Sequence, residues 1–325
     1  MSLVAPPQLP GFHALSSLGY GPNSAIYSAD SERLGRRVAL TIYATTCDSR
    51  QFQRSYEVAR RLGAHPHAVT VLDWGLTIEG RPYVVKELYE HGTFESRMRG
   101  HQALPVDKIL RIGIALSGAL ETANRADVIH CGVHPARVLA DADDEPSLAD
   151  FGLVPLVDPS GPAALLGTPA YHAPPEVLES EGVKRSDVSP ATDVYSLAST
   201  LYTLLAARPP YWRDNTEDTA VALLLRILQH DVAPIGRSDV PHSLEHLLRT
   251  ALNGAPSERP PRALAFAQAL QGVQREIGAT VRDPVVLDVA PTLPLAVPDP
   301  PPHTATRQGP EQIFVPYPKA SFHEP

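Results

Sequence analysis

The sequence predicts an α+β chain with two lobes, a small strand-rich lobe followed by a larger helical one. Three observations lead there. Up to Leu88 the chain is mostly short runs of Val, Ile, Tyr and Leu, separated by Gly, Asn and Asp. Beyond Gly92, apolar residues recur at spacings of three and four, the period of a helix face. From Asp283 onward, prolines become too dense for either regular structure.

The strands come first. His13–Leu18, Ala25–Ala29 and Arg37–Tyr43 are set apart by turn formers such as Gly19, Gly21, Asn23, Asp30 and Gly35. A helix is expected over Ser49–Leu62, then strands over Val69–Trp74 and Pro82–Leu88, joined through Gly75–Gly80. In the helical part, Ile109, Gly113, Leu116, Leu120 and Ala123 share one face, and so do Val194, Leu197, Leu201 and Leu204. Thr216–Leu228 reads as a further helix. Ser243 reads as the N-cap of another, with Leu244, Leu247, Leu248 and Ala251 inward, and Arg262–Ile277 as the last.

These elements divide the chain into an N-terminal extension (1–10), a folded domain (11–278) with lobes at 11–88 and 92–278, and a tail (279–325). The tail is expected to be disordered with polyproline II character. It is either a solvated extension or a docking segment anchored at Pro300–Pro302 or Ile313–Val315.

Composition excludes several classes of function. At 325 residues, 43% hydrophobic and 20% charged, the chain can bury a sizeable core. A net charge of −8 without any run of Lys and Arg speaks against nucleic acid and anionic membrane as partners. The two cysteines, Cys47 and Cys131, are far apart, which speaks against a disulfide or zinc framework and suits a reducing cytoplasm. No run approaches the ~18 apolar residues of a membrane span, and the N-terminus lacks the pattern of a signal peptide.

A series of short motifs carries the chemistry. In chain order they are Leu18–Tyr27 (LGYGPNSAIY), Val38–Thr41 (VALT), His130–Leu139 (HCGVHPARVL), Asp150–Gly152 (DFG) and Ala173–Glu176 (APPE). In order and spacing they resemble the glycine-rich loop, the V-A-I-K strand, the H-R-D catalytic loop, the D-F-G and the A-P-E of protein kinases. Gly167–Tyr171, Asp193–Leu197 and Ser257–Pro260 resemble later landmarks of bacterial, in particular actinobacterial, eukaryotic-type Ser/Thr kinases. The resemblance spans about residues 10–278. It implies a β-rich lobe over an α-lobe with a nucleotide cleft between them. Gly19, Gly21, Ile26 and Ala39 would line that cleft, Glu87–Tyr89 would form its hinge and Asp150 would hold magnesium. It also implies structural roles for His130, for Asp193 and for an ion pair between Glu176 and Arg259.

The departures fall on the positions that do the chemistry. Phosphoryl transfer relies on charge neutralisation and positioning. Thr41 stands where the resemblance calls for the phosphate-binding lysine. Ser55 stands at that lysine's glutamate partner, with Glu57 the alternative in another helix register. Gly132 stands at the general base, His134 at the catalytic-loop lysine, and Arg137 at a metal-binding asparagine, where a cation repels metal. Ser24 replaces the third loop glycine and Pro22 stiffens the tip.

The chain is thereby identified as a degenerate member of the family, a pseudokinase. It has no catalytic residue and at most weak binding of ATP with magnesium. The expected role is a scaffold or allosteric regulator of a protein partner, an active kinase or its substrate. Two readings stand beside it: weak or unconventional phosphotransfer with His130, His134 or Asp127 as base, and a nucleotide sensor without catalysis.

Lys86 adds one expectation. Strand alternation puts Val84, Lys86 and Leu88 on one face. If that face is inward, an ammonium enters the space vacated at Thr41, at the back of the pocket, and burying it unpaired is costly. The expected partner is Asp150, with Glu57 second; contact with a nucleotide phosphate and snorkelling to solvent are the alternatives.

Overall fold

The alternating runs pair into an antiparallel sheet of five strands, in the order β1-β2-β3-β5-β4. They are β1 (Phe12–Gly21), β2 (Ser24–Ser31), β3 (Arg36–Tyr43), β4 (Val71–Leu76) and β5 (Pro82–Lys86). A computed structural model describes residues 9–21, 24–44, 49–98, 102–153, 174–175, 188–213 and 220–289. Both faces of the sheet are covered. On one, Tyr27, Ala29, Val38, Leu40, Ile42 and Val85 pack together, with Leu9 of the N-terminal extension closing the layer. On the other, Tyr43, Val71 and Val84 pack with Phe52 and Ala59 of α1 (Ser49–Leu62) and with Leu153. Burial on both sides explains why β3 and β5 are rich in β-branched residues.

The larger lobe contains α2 (Phe94–Arg97), α3 (Val106–Arg125), α4 (Pro190–Ala206), α5 (Ala220–Leu228), α6 (His242–Ala251) and α7 (Ala263–Glu276). A two-stranded ribbon, β6 (Val138–Ala140) and β7 (Pro146–Leu148), lies under the cleft. Helix α3 is buried along nearly its whole length. At Gly113 the helix meets the side chains of Leu201 and Leu270, so α4 and α7 approach it closely. Ser189 and Thr192 form a reciprocal capping box at the start of α4, which satisfies two end donors of a buried helix. No helix among the described residues is long and apolar enough to cross a membrane.

Several boundaries differ from the sequence expectation, each for a local reason. Strand β4 starts at Val71 because the backbone before it pairs elsewhere: Val69 N–H donates to Leu148 O at 2.9 Å, and Leu148 N–H to His67 O at 2.9 Å. Helix α6 is capped by Pro241, not Ser243. Pro241 sits extended at φ −61°, and its carbonyl accepts from the amides of Leu244 and Glu245. Ser243 therefore falls inside the first turn. Strands β6 and β7 are too short to show a period. Residues 214–219, the start of the helix expected from Thr216, lie outside the described residues.

The largest correction concerns the tail. The expected boundary at 278 is too early, because residues 282–289 lie against the helical lobe. Arg282 N–H donates to Gln274 Oε1 at 3.1 Å, and Gln271 Nε2 donates to Arg282 O at 2.8 Å. His65 Nε2 donates to Val285 O at 2.9 Å, Leu287 N–H to Thr122 Oγ1 at 3.0 Å, and Val289 packs on the core. The proline density that suggested a free tail belongs to residues after 290; within 282–289 Pro284 is the one proline, and Val285, Val286, Leu287 and Val289 follow it. Pro300–Pro302 and Ile313–Val315 lie outside the described residues.

Deleting everything after Val281 removes these bonds and exposes the groove beneath. The loss is on the order of 2 kcal/mol, which lowers Tm by roughly 4–8 °C for a domain of this size. Calorimetry of the truncated and full chains checks it, and equal melting temperatures would show that the docked segment adds nothing to stability.

Candidate functional site

Strand register decides what faces the space between the lobes. Ile26 pairs with Thr41, Thr41 with Val84 and Ala39 with Lys86 across the sheet, so these residues share the face turned toward α1 and the helical lobe. Lys86 is 7% exposed there. Its ammonium donates to Asp150 Oδ1 at 2.8 Å. The other oxygen, Oδ2, lies 3.4 Å from Arg137 Nε. The structure thus brings Lys86 and Asp150 together, as alternation suggested, and adds a second cation. Its burial rules out the alternative in which Lys86 snorkels to solvent.

Local conformation prepares the arrangement. A 3-10 turn at Pro135–Arg137 carries Arg137 back over the loop, where its Nη1 donates to Gly132 O at 2.8 Å. Asp150 sits at φ +70°, a left-handed conformation that Asp tolerates better than most residues. Burial alone pushes the Asp150 carboxyl up, but Lys86 and Arg137 outweigh it and hold the group below the usual carboxylate range. Burial draws the Arg137 guanidinium down, and Asp150 opposes that.

Two of the positions that depart from the family's motifs, Thr41 and Ser55, carry neutral side chains. Thr41 Oγ1 and Ser55 Oγ are buried and have no hydrogen-bond partner among the described residues. In α1, Phe52, Ser55, Val58 and Leu62 form the buried stripe, which turns Glu57 outward into solvent. The alternative register, with Glu57 as the inward acid, is therefore wrong, and Glu57 is not a partner for Lys86.

Magnesium does not fit. The two carboxylate oxygens that would coordinate it are held by cations, and one of those cations occupies the position of a second metal ligand. The described residues contain no group of three or more His, Cys, Asp or Glu able to hold a metal ion. Asp150 is paired with two cations in this structure.

The framework around the loop is intact. Asp193, at the start of α4, accepts from His130 N–H and Cys131 N–H at 2.9 Å each and from Asn124 Nδ2 at 3.5 Å. This holds Cys131 at φ +58°. His130 is fully buried, donates through Nε2 to Ala149 O at 2.8 Å and stands edge-on to Phe151 at 4.8 Å. It is a packing residue and no candidate base. Asp127 is exposed on the turn after α3, and His134 is buried. Arg259 lies over the Tyr195 ring at 4.9 Å and donates to Asn253 O and Gly254 O. Its expected partner Glu176 lies outside the described residues.

On the nucleotide side, Gly19 pairs with Ile26 and Gly21 with Ser24 in the β1–β2 hairpin, whose tip, Pro22–Asn23, lies outside the described residues. Ala39 is buried. In the hinge, Glu87 N–H donates to Thr70 O at 3.1 Å, its carboxylate lies 3.6 Å from Arg36, and Tyr89 is half-buried. Sequence reasoning missed Arg137 as a partner of Asp150. The signal was present: a cation at a metal-ligand position beside a retained aspartate.

Two predictions follow from these contacts. Lys86→Met leaves Asp150 buried with Arg137 alone, so urea unfolding should show a loss of about 2 kcal/mol. The double variant with Asp150→Asn should recover part of it; an unchanged single variant would mean that the pair contributes nothing.

The second concerns pH. Burial holds the His130 imidazole down to about 4, against 6.5 unfolded, so its contribution is complete above pH 6.5 and is lost as pH falls toward 4. Asp193 has the opposite sign. Burial pushes its carboxyl up to about 6 from 3.8, against the three donors, so its contribution is complete below pH 3.8 and is lost as pH rises through 6. The two offset each other between pH 4 and 6. In His130→Gln only Asp193 remains, and the variant should gain on the native chain by up to about 3 kcal/mol as pH falls from 6.5 to 4. Parallel pH–stability curves would contradict this.

Comparison with known proteins agrees with this framework. Residues 12–272 match the family model described as protein kinase domain. The serine/threonine-protein kinase PknK of Mycobacterium tuberculosis is 32% identical over 287 residues, which cover 86% of this chain and 25% of that protein. PknL of the same organism is 29% identical over 272 residues, 81% of this chain and 65% of that one. A probable serine/threonine-protein kinase of Streptomyces coelicolor is 30% identical over 210 residues, 61% of this chain and 30% of its own length. This chain therefore spans about a quarter of PknK. With the two-lobed fold, the intact Asp193 framework and the matched length, the chain belongs to the protein kinase family, among the relatives of its bacterial serine/threonine members.

Proposed function

We propose that this chain is a pseudokinase: it transfers no phosphate and acts on a protein partner in cytoplasmic signalling as a scaffold or allosteric regulator. The observation that carries the reading is the double engagement of Asp150 by Lys86 and Arg137. A kinase needs that carboxylate for magnesium and needs a base where Gly132 stands. Here the groups that would move with a catalytic cycle are instead bound to one another. Thr41 and Ser55 provide neither the ammonium nor the carboxylate that holds phosphates in place.

The partner is a protein, an active kinase or its substrate, because the fold presents the surfaces of a kinase without the chemistry. A second reading has support from the adenine side of the cleft, where Ala39, the hinge at Glu87–Tyr89 and the β1–β2 hairpin are retained. On that reading the chain senses nucleotide without using it.

Two measurements test the proposal. Incubation with labelled ATP, magnesium and a generic protein substrate should give no incorporation above that of Asp150→Ala; transfer abolished by that substitution would overturn the reading. A ligand that binds only the folded state must raise its Tm. ATP with magnesium at millimolar concentration should leave Tm unchanged, whereas a rise would favour the nucleotide sensor.

A further inference from the structure

Residues 282–289 are attached mainly through their backbone. Arg282 uses both its N–H and its carbonyl, on Gln274 and Gln271 of α7; Val285 uses its carbonyl, on His65; Leu287 uses its N–H, on Thr122 of α3. The ion pairs at either end, Arg282 with Glu145 and Arg125 with Asp288, are exposed and weak. The surface is shaped for this. A Cβ at Gly118 would clash with the carbonyl oxygen of Val285, so the missing side chain is the space through which the segment passes. Thr122, one turn further along α3, supplies the next contact.

His65 connects this segment to the small lobe. Its N–H donates to Leu62 O at the end of α1. Its Nδ1 accepts from His67 N–H at 3.0 Å, which leaves the ring proton on Nε2, the atom that donates to Val285 O. The same loop is joined to the helical lobe through Val69, His67 and Leu148. The middle of α1 faces the cleft. The Val58 side chain and the Ser55 carbonyl lie over Gly152, and Val58 shares a core with Phe151. Leu62 and Ser55 are about 10 Å apart along a rigid helix.

We infer that residues 282–289 form a strap that fixes the C-terminal end of α1 through His65, so that the placement of α1 over Phe151–Gly152 depends on the chain leaving the domain. The groove on α3 and α7 is a peptide-docking surface, and its occupant is this chain's own segment. Whatever engages residues beyond 289 then acts on α1 through this strap, by a path that is independent of catalysis.

Hydrogen exchange on the full-length chain, read by mass spectrometry, tests this with two variants. Gly118→Ala puts a methyl group in the path of the strap. Leu287→Pro removes the N–H that Thr122 accepts and leaves both lobes untouched. In both, exchange should rise at least tenfold over 282–289 and also rise over 55–62 in α1. Release of the strap with α1 protection unchanged would overturn the inference. So would a native level of strap protection in both variants, or an α1 effect in Gly118→Ala alone, which would mark damage to α3.

Discussion

A buried carboxylate must be matched by charge, and at Asp150 this requirement organises the space between the lobes. Lys86 comes from the small lobe, Arg137 and Asp150 from the large one, so the cluster ties the two together where a kinase would hold nucleotide and metal. The substitutions around it form one consistent set. With Thr41 and Ser55 neutral, two cations face one carboxylate. A lysine at position 41 would add a third cation to the same recess, and mutual repulsion would disfavour it. A neutral Thr41 is thus compatible with two cations, Lys86 and Arg137, beside one carboxylate.

The framework of the fold and the positions that depart from the family's motifs rest on different bonds. Asp193 holds the backbone of His130 and Cys131, His130 packs on Phe151, and Arg259 caps the carbonyls near Gly254. None of these contacts involves a group that moves charge in phosphoryl transfer. The Asp193 framework is compatible with Gly132, since a glycine there leaves the backbone bonds of His130 and Cys131 in place.

The docked segment at 282–289 extends the same logic to the outer side of the helical lobe. Position 118 carries no side chain where a backbone must pass, and Thr122 offers a hydroxyl where an amide needs an acceptor. Through His65 this surface is continuous with the joint between the lobes. Two stretches of α1 thus answer to different parts of the chain: Ser55 and Val58 to Gly152, and the C-terminal end, through His65, to the segment after α7.

Periodicity and motif order in the sequence determined the class of fold, the order of the lobes, the long helices and the positions that depart from the family's motifs. Such features depend on neighbours in the chain and on side-chain type. Strand alternation even pointed Lys86 at Asp150, because a period of two fixes which face a residue takes. Tertiary structure alone decided the rest. Arg137 became the second partner of Asp150 because a 3-10 turn folds it back. Glu57 was turned outward by the burial of Ser55. Residues 282–289 gained a place because a glycine far away in sequence left a groove for them. Each outcome depends on contacts between segments distant in the chain, and a local pattern of residues carries no record of those distances.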